Sequence, residues 1–518
     1  MPGRLTPRDP VHAFSARNSA GSTGHAVWVF GALVMTLAAV MFISTQPQGG
    51  NDFWLQAKVG ELIVQQHRIP PTLLFPFTEA QDLKFNAHGW LPSILFHGLV
   101  VATSTGGLAL VLGFGGLLLF AMVARLAWRR SGGNVPLAFL LGLMAVGVEN
   151  YRHTLRPELF SLLFLAAFLY CMELCRVGRS RLAQAGALLI VAVWANTHGS
   201  FILAPAIAFI FGLGALMDRW RFRDEPRPAA GRYFVLALLS LACAAVNPEG
   251  FHLIRFVVGF GSSNIQMYEW LPSYHPDVMQ QRGFRIALLC ALGTLAAVGM
   301  AWRRLRTADA MLLLMFLALA VSAMRFMTYF GIISAYVLAG LAPLEWRRLQ
   351  FQRQLYQCSM VAAAAVLVTA ATVGNAQHNK PYANDGDSKF SPRMVASLSD
   401  PAMKGNVLNS AELGAELVFL AWPRLRPSID SRIDSYGAAY FEAHQDLLRD
   451  KPRLTAFLKQ YDVQYMLFSR DDLEAAKASL GEQLLLEWDV RLLDRKAVLF
   501  ARRQPGGSGS QAVGGSGG

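Results

Sequence analysis

Long apolar stretches separated by short polar loops dominate the first 375 residues of the chain. The first run covers residues 27–43, and later runs cover 107–127, 135–149, 158–175, 183–197, 200–217, 233–246, 284–301, 310–323, 326–343 and 357–374. A helix that crosses a bilayer needs about 20 mainly apolar residues. The pattern therefore predicts a polytopic α-helical membrane protein, with a transmembrane domain over residues 26–375.

The segment Trp90–Thr103 decides the predicted topology. It is short for a span and contains Pro92, His97 and Gly98, which is typical of an interfacial or re-entrant helix. If it does not cross, and the basic N-terminus lies inside, the arginine clusters between the runs all fall on the inner side. That arrangement satisfies the positive-inside rule. It predicts about 11 spans, with the N-terminus inside and the C-terminus outside.

The same topology places five polar clusters at the outer face. They are Asn51-Asp52, residues 149–158, residues 196–199, residues 247–250 and Arg325. Each cluster taken alone fits a capped helix end, and Asp52 fits one well because Asp suits a helix N-terminus. An acid at the membrane boundary, however, loses solvation and needs a partner. Five clusters at one face together indicate a shared functional cavity.

The composition changes after the last apolar run. Short strands are predicted at Gly405–Asn409, Pro427–Asp430, Val463–Phe468 and Lys496–Phe500, and helices at Ala411–Leu420 and Lys451–Gln460. Alternating strands and helices predict a small soluble α/β domain over residues 376–503, on the outer face. Residues 1–25 are expected to be a disordered cytoplasmic segment, and 44–106 a first outer loop with juxtamembrane helices. Residues 504–518 are interpreted as a flexible Gly/Ser tail or a cloning remnant.

Composition and charge agree with a membrane protein. The 518 residues are 53% hydrophobic and 16% charged, against about 25% charged residues in soluble domains. The net charge of +13 is explained by basic inner loops, so no nucleic-acid partner is expected. The five cysteines lie in or at the ends of apolar runs, without metal-ligand spacing. They predict neither a disulfide framework nor a zinc site.

Several short motifs follow one another in a characteristic order. They are Asp52 with residues 54–71, Phe85–Leu91, Arg156-Pro157, Trp194–Gly199, Asn247–Gly250, Tyr268–Trp270, Arg325 and Ile429–Gly437. In this order and topology the chain resembles the GT-C fold of bacterial inner-membrane glycosyltransferases that carry a periplasmic C-terminal α/β domain. The resemblance covers about residues 27–503.

The resemblance implies an inverting transfer of a sugar from a polyprenyl-phosphate carrier to an acceptor at the periplasmic face. The donor and the membrane lipids would be its partners, while the acceptor, whether lipid, glycan or protein, stays open. Guanidinium groups bind phosphate bidentately, and the phosphate-binding candidates are Arg152, Arg156, Arg255 and Arg325, with His198 as a helper. Asp52 is the candidate base that takes the acceptor's proton, because partial desolvation makes a carboxylate a better proton acceptor.

Other acids are candidates for further roles in this scheme. Glu149, Glu249 and Glu269 are candidates for a second acid. A divalent metal, Mg²⁺ or Mn²⁺, is left open as a cofactor, with Asp52 as its ligand if it binds. Asp430, Arg432, Asp434 and Tyr436 form either an acceptor-recognition edge or a buried salt-bridge network, and the network is favoured.

The chain departs from the family pattern at three positions. Gln56 stands where a His is common, and Leu73 and Gly89 stand where further acids are expected. The hypothesis of catalysis therefore depends on Asp52.

Two alternatives remain open. The first is a transporter or flippase for a lipid-linked glycan, although such proteins usually show internal repeats and helices broken near the midplane, and no convincing repeat is seen. The second is a non-catalytic scaffold in envelope polysaccharide assembly, which the missing acids favour. Transfer of a labelled sugar from a polyprenyl-phosphate donor would separate the three.

Overall fold

A computed structural model describes residues 51–503, with gaps at 104, 150–151, 179, 222–229, 262–267 and 343–388, and a few positions of the first apolar run. The predicted run 357–374, the N-terminal segment and the Gly/Ser tail lie outside the described residues. Two helices, α1 (Asn51–Gln66) and α2 (Trp90–Ala102), pack side by side before the main bundle. Gly60 of α1 permits this contact, because a Cβ there would stand 1.9 Å from the Ser93 carbonyl oxygen.

Of the ten bundle helices of eight or more residues that the structure describes, nine follow the predicted apolar runs closely, and the one at His252–Gly261 was not predicted. The ten are α3 (Thr105–Arg130), α4 (Val135–Glu149), α5 (Pro157–Val177), α6 (Arg181–Ala195), α7 (Leu203–Arg221), α8 (Ala230–Ala244), α9 (His252–Gly261), α10 (Arg282–Met300), α11 (Thr307–Ser322) and α12 (Met327–Gly340). Local sequence sets several ends. Pro157 occupies the first turn of α5, where a missing N–H costs nothing, and the Ser180 side chain accepts from the Ala183 N–H at the start of α6.

The bundle is that of a multi-pass membrane protein. Among the described residues, four helices are long and apolar enough to cross a bilayer, namely 107–130, 157–177, 199–219 and 283–300, and six further apolar helices are shorter. The number of about eleven spans stays a prediction. α2 is a short helix of 13 residues, and its placement relative to a membrane also stays a prediction.

One end of the bundle holds a buried charge cluster. Arg130, at the end of α3, donates to Glu173 of α5 at 2.7 Å and contacts Asp309 at the start of α11. Tyr336 of α12 joins the cluster and donates to Glu173 at 3.2 Å. Isolated buried charges are costly, and here opposite charges and hydrogen bonds offset that cost. The cluster ties together four helices at the end that also carries the basic loops.

The C-terminal part is a five-stranded sheet flanked by helices. Its elements are α13 (Pro392–Leu398), β1 (Gly405–Asn409), α14 (Ala411–Ala421), β2 (Leu425–Pro427), α15 (Ala438–Leu447), α16 (Lys451–Gln460), β3 (Val463–Ser469), α17 (Arg470–Leu480), α18 (Glu482–Glu487), β4 (Trp488–Leu493) and β5 (Ala497–Arg502). The strand order is β2-β1-β3-β5-β4. β1 pairs in parallel with β2 and β3, while β5 pairs antiparallel with β3 and β4.

One strand prediction in this part is wrong, and one strand was not predicted. The strand expected at Pro427–Asp430 ends at Pro427. The Ser428 N–H still donates to the Val407 carbonyl of β1 at 2.9 Å, but the pairing stops there, and side-chain hydrogen bonds also hold the buried residues of this segment. Asn409, for example, accepts from the Ser428 N–H at 2.9 Å and donates to the Ile429 carbonyl at 2.9 Å. β4 was not predicted, since it is an edge strand whose side chains are mostly exposed.

The sheet rests on the first loop and on α1. Leu55 and Leu62 of α1 share a buried apolar cluster with Val418 of α14 and with Ile429. The loop chain runs beside β2, where the Phe77 N–H donates to the Pro427 carbonyl at 3.1 Å. The segment that follows β2 is thereby brought over the start of α1, where Asp52 lies.

Candidate functional site

A cavity of about 180 Å³ lies between the bundle and the segment that follows β2. It collects residues that are far apart in the chain: the start of α1, the first loop, the start of α5 and the turns before α7 and α12. Its polar lining comprises Asp52, Gln56, Asn86, His88, Arg152, Arg156, Glu158, His198, Glu269, Trp270, Arg325, Ser431, Arg432 and Asp434. Four of the five predicted outer clusters thus contribute to one cavity, the cluster at 196–199 through His198.

Three arginines surround the carboxylate of Glu269. Arg152 donates to Glu269 Oε2 at 2.8 Å, Arg156 to the same atom at 3.3 Å, and Arg325 to Oε1 at 3.5 Å. Burial by itself would raise the pKa of Glu269, but the three neighbouring cations outweigh it and hold that pKa far below its usual range. Glu269 therefore stays ionised and holds the arginines in one place.

Asp52 lies at the edge of this cluster. Its Oδ2 is 3.3 Å from Arg156 Nε, and its side chain is 42% exposed. Asp52 is thus only partly removed from solvent. Its availability at the cavity depends on this partner and on the open side of the site.

His198 is held neutral beside Arg325. Burial, and then the nearby Arg325 charge, lower the pKa of His198 to about 3. Its Nδ1 is 2.8 Å from Ser200 Oγ, and Nε2 lies 3.4 Å from Arg325 Nη2 in a position to accept. The Arg325 guanidinium also stacks over the Trp270 ring, 4.6 Å from its centroid. Arg325 is therefore oriented by three separate groups.

The segment after β2 forms the opposite wall. Asp430 is fully buried and accepts from Arg432 Nη2 at 2.6 Å and from the Tyr436 hydroxyl at 3.0 Å, as the network interpretation expects. Arg432 Nη2 also donates to the Leu73 carbonyl at 3.0 Å. This network orders the segment, and Asp434 beyond it reaches the cavity. Burial raises the pKa of Asp434, whose Oδ2 lies 3.8 Å from His88 Nδ1.

Asp430 and Tyr436 lie behind the cavity wall, and three of the candidate acids and phosphate-binding residues do not line the cavity either. Glu149 is buried and pairs with His153 at 2.7 Å, and Glu249 pairs with Lys84 of the first loop. Arg255 is exposed on α9. Each of the three belongs to a polar cluster or neighbours one, but its side chain turns to a different partner or to the surface.

Among the lining residues that had no role assigned from the sequence, three are titratable or aromatic polar residues close to the arginines. His88, Glu158 and Trp270 all stand inside motifs recognised there, next to residues that were assigned roles. Only the packing of separate turns against one another brings them together, so no sequence signal apart from those motifs marks them.

The positions that depart from the family pattern also gain an explanation. A Cβ at Gly89 would lie 3.4 Å from the Gln56 amide, and Ser93 donates to that same amide. The Leu73 side chain is buried in the apolar cluster that includes Leu55 and Leu62, and its carbonyl accepts from Arg432. Neutral contacts thus take the place of the expected acids.

The described residues do not fit a divalent metal. No group of three His, Cys, Asp or Glu side chains among them is arranged to hold an ion. Asp52 and Glu269, the acids nearest the centre, are both already paired with arginines. A divalent cation there would face three guanidinium charges, which disfavours its binding.

Comparison with solved structures identifies the fold. The archaeal oligosaccharyltransferase AglB from Archaeoglobus fulgidus, in complex with an inhibitory peptide and a dolichol-phosphate, superposes with a TM-score of 0.56 at 12% identity, over 93% of this chain and 75% of that one. The apo form of the oligosaccharyltransferase from the same organism gives 0.54 at 12% identity, over 92% and 74%. Its complex with Zn and sulfate gives 0.50 at 14% identity, over 87% and 70%.

The chain therefore has the GT-C fold that was expected from its sequence: an α-helical membrane bundle with a small α/β layer. No protein-family model matches it, and no curated protein matches it.

Proposed function

We propose that this protein is an inverting membrane glycosyltransferase that moves a sugar from a polyprenyl-phosphate carrier to an acceptor at the periplasmic face of a bacterial inner membrane. The observation that carries the proposal is the convergence of Arg152, Arg156 and Arg325 with Asp52 at one cavity. Lipid-linked donors fit the fold, since the similar archaeal oligosaccharyltransferase was solved with a dolichol-phosphate.

The arginine cluster is suited to the donor phosphate. The hydrogen bonds from Arg156 and Arg325 to Glu269 are 3.3 and 3.5 Å long. A charge-assisted hydrogen bond is usually about 2.7–2.9 Å long, so both are stretched. Both side chains are partly open to the cavity, at 26% and 13% exposure. A phosphate that enters would take stronger, bidentate bonds from them. Glu269 keeps the three cations together until it does.

Asp52 is placed to take the acceptor's proton. Attack at the anomeric carbon from the side opposite the phosphate inverts that carbon in a single displacement. The attacking hydroxyl or amide loses a proton, and the phosphate leaves with the bonding electron pair. When the phosphate engages Arg156, Asp52 loses its only close cationic partner among the described residues, which strengthens it as a base.

The membrane orientation follows from charge. The cavity lies at the starts of α5 and α12, whereas Arg130, Arg176 and the exposed Arg303 and Arg304 lie at the opposite end of the bundle. The positive-inside rule assigns that basic end to the cytoplasm and the cavity to the periplasm. The sheet over the cavity is then a periplasmic domain, covering residues 376–503.

Binding of the bare carrier tests the proposal directly. The purified protein in nanodiscs should bind undecaprenyl phosphate more tightly than undecaprenol, which lacks the phosphate. Equal affinity for the two lipids would contradict a phosphate site.

A further inference from the structure

Glu158 has one carboxylate oxygen engaged and one that is not. It stands in the first turn of α5, and Oε2 accepts from Arg152 Nη2 at 2.7 Å. Oε1 is buried and has no hydrogen-bond partner among the described residues, although the residue lines the cavity and is only 9% exposed. An unsatisfied buried oxygen of a charged group is costly. Its persistence at a cavity wall indicates a ligand group that donates to it.

Outside the arginines, two further atoms of the same lining share this condition. Trp270 Nε1 and His88 Nδ1 are buried and have no hydrogen-bond partner in the part of the chain that the structure describes. An indole N–H is a donor only, whereas an imidazole nitrogen donates or accepts according to its tautomer. Outside the arginines, the cavity thus presents one obligatory acceptor and one obligatory donor.

These atoms flank the arginines of the proposed phosphate site. Glu158 is bonded to Arg152, and Trp270 lies beneath Arg325. A group covalently attached to a phosphate bound there would be next to both. In a lipid-linked donor the phosphate carries two groups, the polyprenyl chain and the sugar, and only the sugar has hydrogen-bonding groups that suit these polar atoms.

The phosphate itself does not satisfy Glu158. An ionised phosphate oxygen accepts hydrogen bonds and has none to donate, so it suits Trp270 Nε1 but repels Glu158 Oε1. A hydroxyl both donates and accepts. A hydroxyl of the sugar therefore complements both atoms, whereas a protonated amine complements Glu158 Oε1 alone.

We propose that Glu158, together with Trp270, recognises a hydrogen-bond-donating group on the sugar of the lipid-linked donor. This subsite rests on the proposed function, because it takes the phosphate to lie among the arginines. Glu158 is then a specificity residue. It fixes the orientation of the sugar ring relative to Asp52 and distinguishes the loaded carrier from the bare one.

The test compares affinities for loaded and bare carrier. Undecaprenyl phosphate is titrated alone and as three conjugates, with a neutral hexose, a neutral pentose and an amino sugar. The wild-type protein should bind at least one conjugate about tenfold more tightly than the bare carrier, as expected for a hydrogen bond to a charged group. Higher affinity for a neutral-sugar conjugate identifies a hydroxyl as the partner of Glu158. Higher affinity for the amino-sugar conjugate alone identifies an amine as that partner.

Glu158→Gln isolates the carboxylate oxygen. Because Arg152 donates at the Oε2 position, the glutamine oxygen should take that place and turn its NH₂ to the cavity. The acceptor becomes a donor, and the preference for the conjugate over the bare carrier should fall to within about twofold. Glu61→Gln, which alters an acid paired with Lys58 away from the cavity, should keep the full preference.

Trp270→Phe is the second variant. It keeps an aromatic ring beneath Arg325 and removes the N–H, so part of the conjugate preference should be lost even if Glu158→Gln fails to fold. The inference is overturned if no conjugate binds the wild type more tightly than the bare carrier. It is also overturned if both folded variants keep the full preference. Failure of the wild type to bind the bare carrier contradicts the proposed function instead.

Discussion

Arg156 Nε lies 3.3 Å from Asp52 Oδ2 at the open edge of the cavity. The residue proposed to act as the base and a residue proposed to hold the phosphate are therefore direct neighbours. Binding of the phosphate to Arg156 would weaken its hold on Asp52, so that donor binding and activation of the base are coupled. The order of events predicted by this contact is donor first and acceptor second.

Arg325→Ala should weaken binding of undecaprenyl phosphate by about tenfold or more, since a charge-assisted hydrogen bond to the phosphate is lost. The affinity is measured by titration in nanodiscs. Arg255→Ala makes the informative comparison, because Arg255 was a candidate by sequence but lies exposed on α9. An equal loss in both variants would contradict the cavity as the phosphate site. Arg304→Ala, at the opposite end of the bundle, controls for general charge effects.

His198 should make the folded protein less stable in acid. Its pKa is about 3 in the folded state, because of burial and of the Arg325 charge, against about 6.5 in the unfolded chain. Between these values the unfolded state binds more protons, so the free energy of unfolding falls as the pH falls. The expected loss attributable to His198 at pH 5 is on the order of 1 kcal/mol.

Thermal melting at pH 7.5 and pH 5 checks this expectation. His198→Gln should show a smaller decrease in Tm on acidification than the wild type. His252→Gln, which changes an exposed histidine of α9, should behave like the wild type. An identical pH response in all three proteins would show that His198 does not titrate as described.

Arg130→Ala should destabilise the bundle without changing the cavity. The substitution leaves Glu173 and Asp309 buried without their shared cation, and breaking a buried pair in this way costs about 3–5 kcal/mol. A lower Tm is expected together with unchanged affinity for undecaprenyl phosphate in the folded fraction. A Tm within about one degree of the wild type would mean that the charge cluster adds little to stability.

Gly60→Ala should disturb the packing of α1 on α2. The new Cβ would meet the Ser93 carbonyl at 1.9 Å, so the helices must separate, at a cost of about 1–3 kcal/mol. Gly98→Ala is the matched control on α2, where nothing lies within 4 Å of the added atom. It should raise the stability slightly, because alanine favours a helix over glycine by about 0.5–1 kcal/mol. Equal Tm values for the two variants would contradict the close helix contact.

Most of the helical part of the fold was predictable because apolar runs and helices have nearly the same limits, although α9 lies in no predicted run. The run 135–149, for example, coincides with α4, and 158–175 with α5 but for the end residues. Strands were harder. β1, which is buried at its end, was predicted from its apolar residues. The edge strand β4 was not predicted, because it has no buried face. The buried residues Ser428 and Ile429 were interpreted as part of a strand, although side-chain hydrogen bonds help to hold them.

The site was predictable only in part. Asp52, Arg152, Arg156, His198, Glu269 and Arg325 were singled out and do meet at the cavity. Glu249 and Arg255 carry the same chemistry and lie elsewhere, because a residue's direction on its turn is not visible in the sequence. Glu158 follows the assigned Arg156 by two positions, yet only the geometry shows that one of its oxygens is left for a ligand.

The most direct test of the proposed function is the rate of sugar transfer from a labelled polyprenyl-phosphate donor to an acceptor. Wild-type protein, Asp52→Asn and the first-loop control Asp82→Asn are each incubated with labelled conjugates and a detergent extract of cell envelope as acceptor. Wild type and Asp82→Asn should transfer label to the extract, and Asp52→Asn should be slower by about 10²–10⁴-fold while it still binds undecaprenyl phosphate. Transfer by Asp52→Asn at the wild-type rate, or no transfer by the wild type from any conjugate, would contradict it.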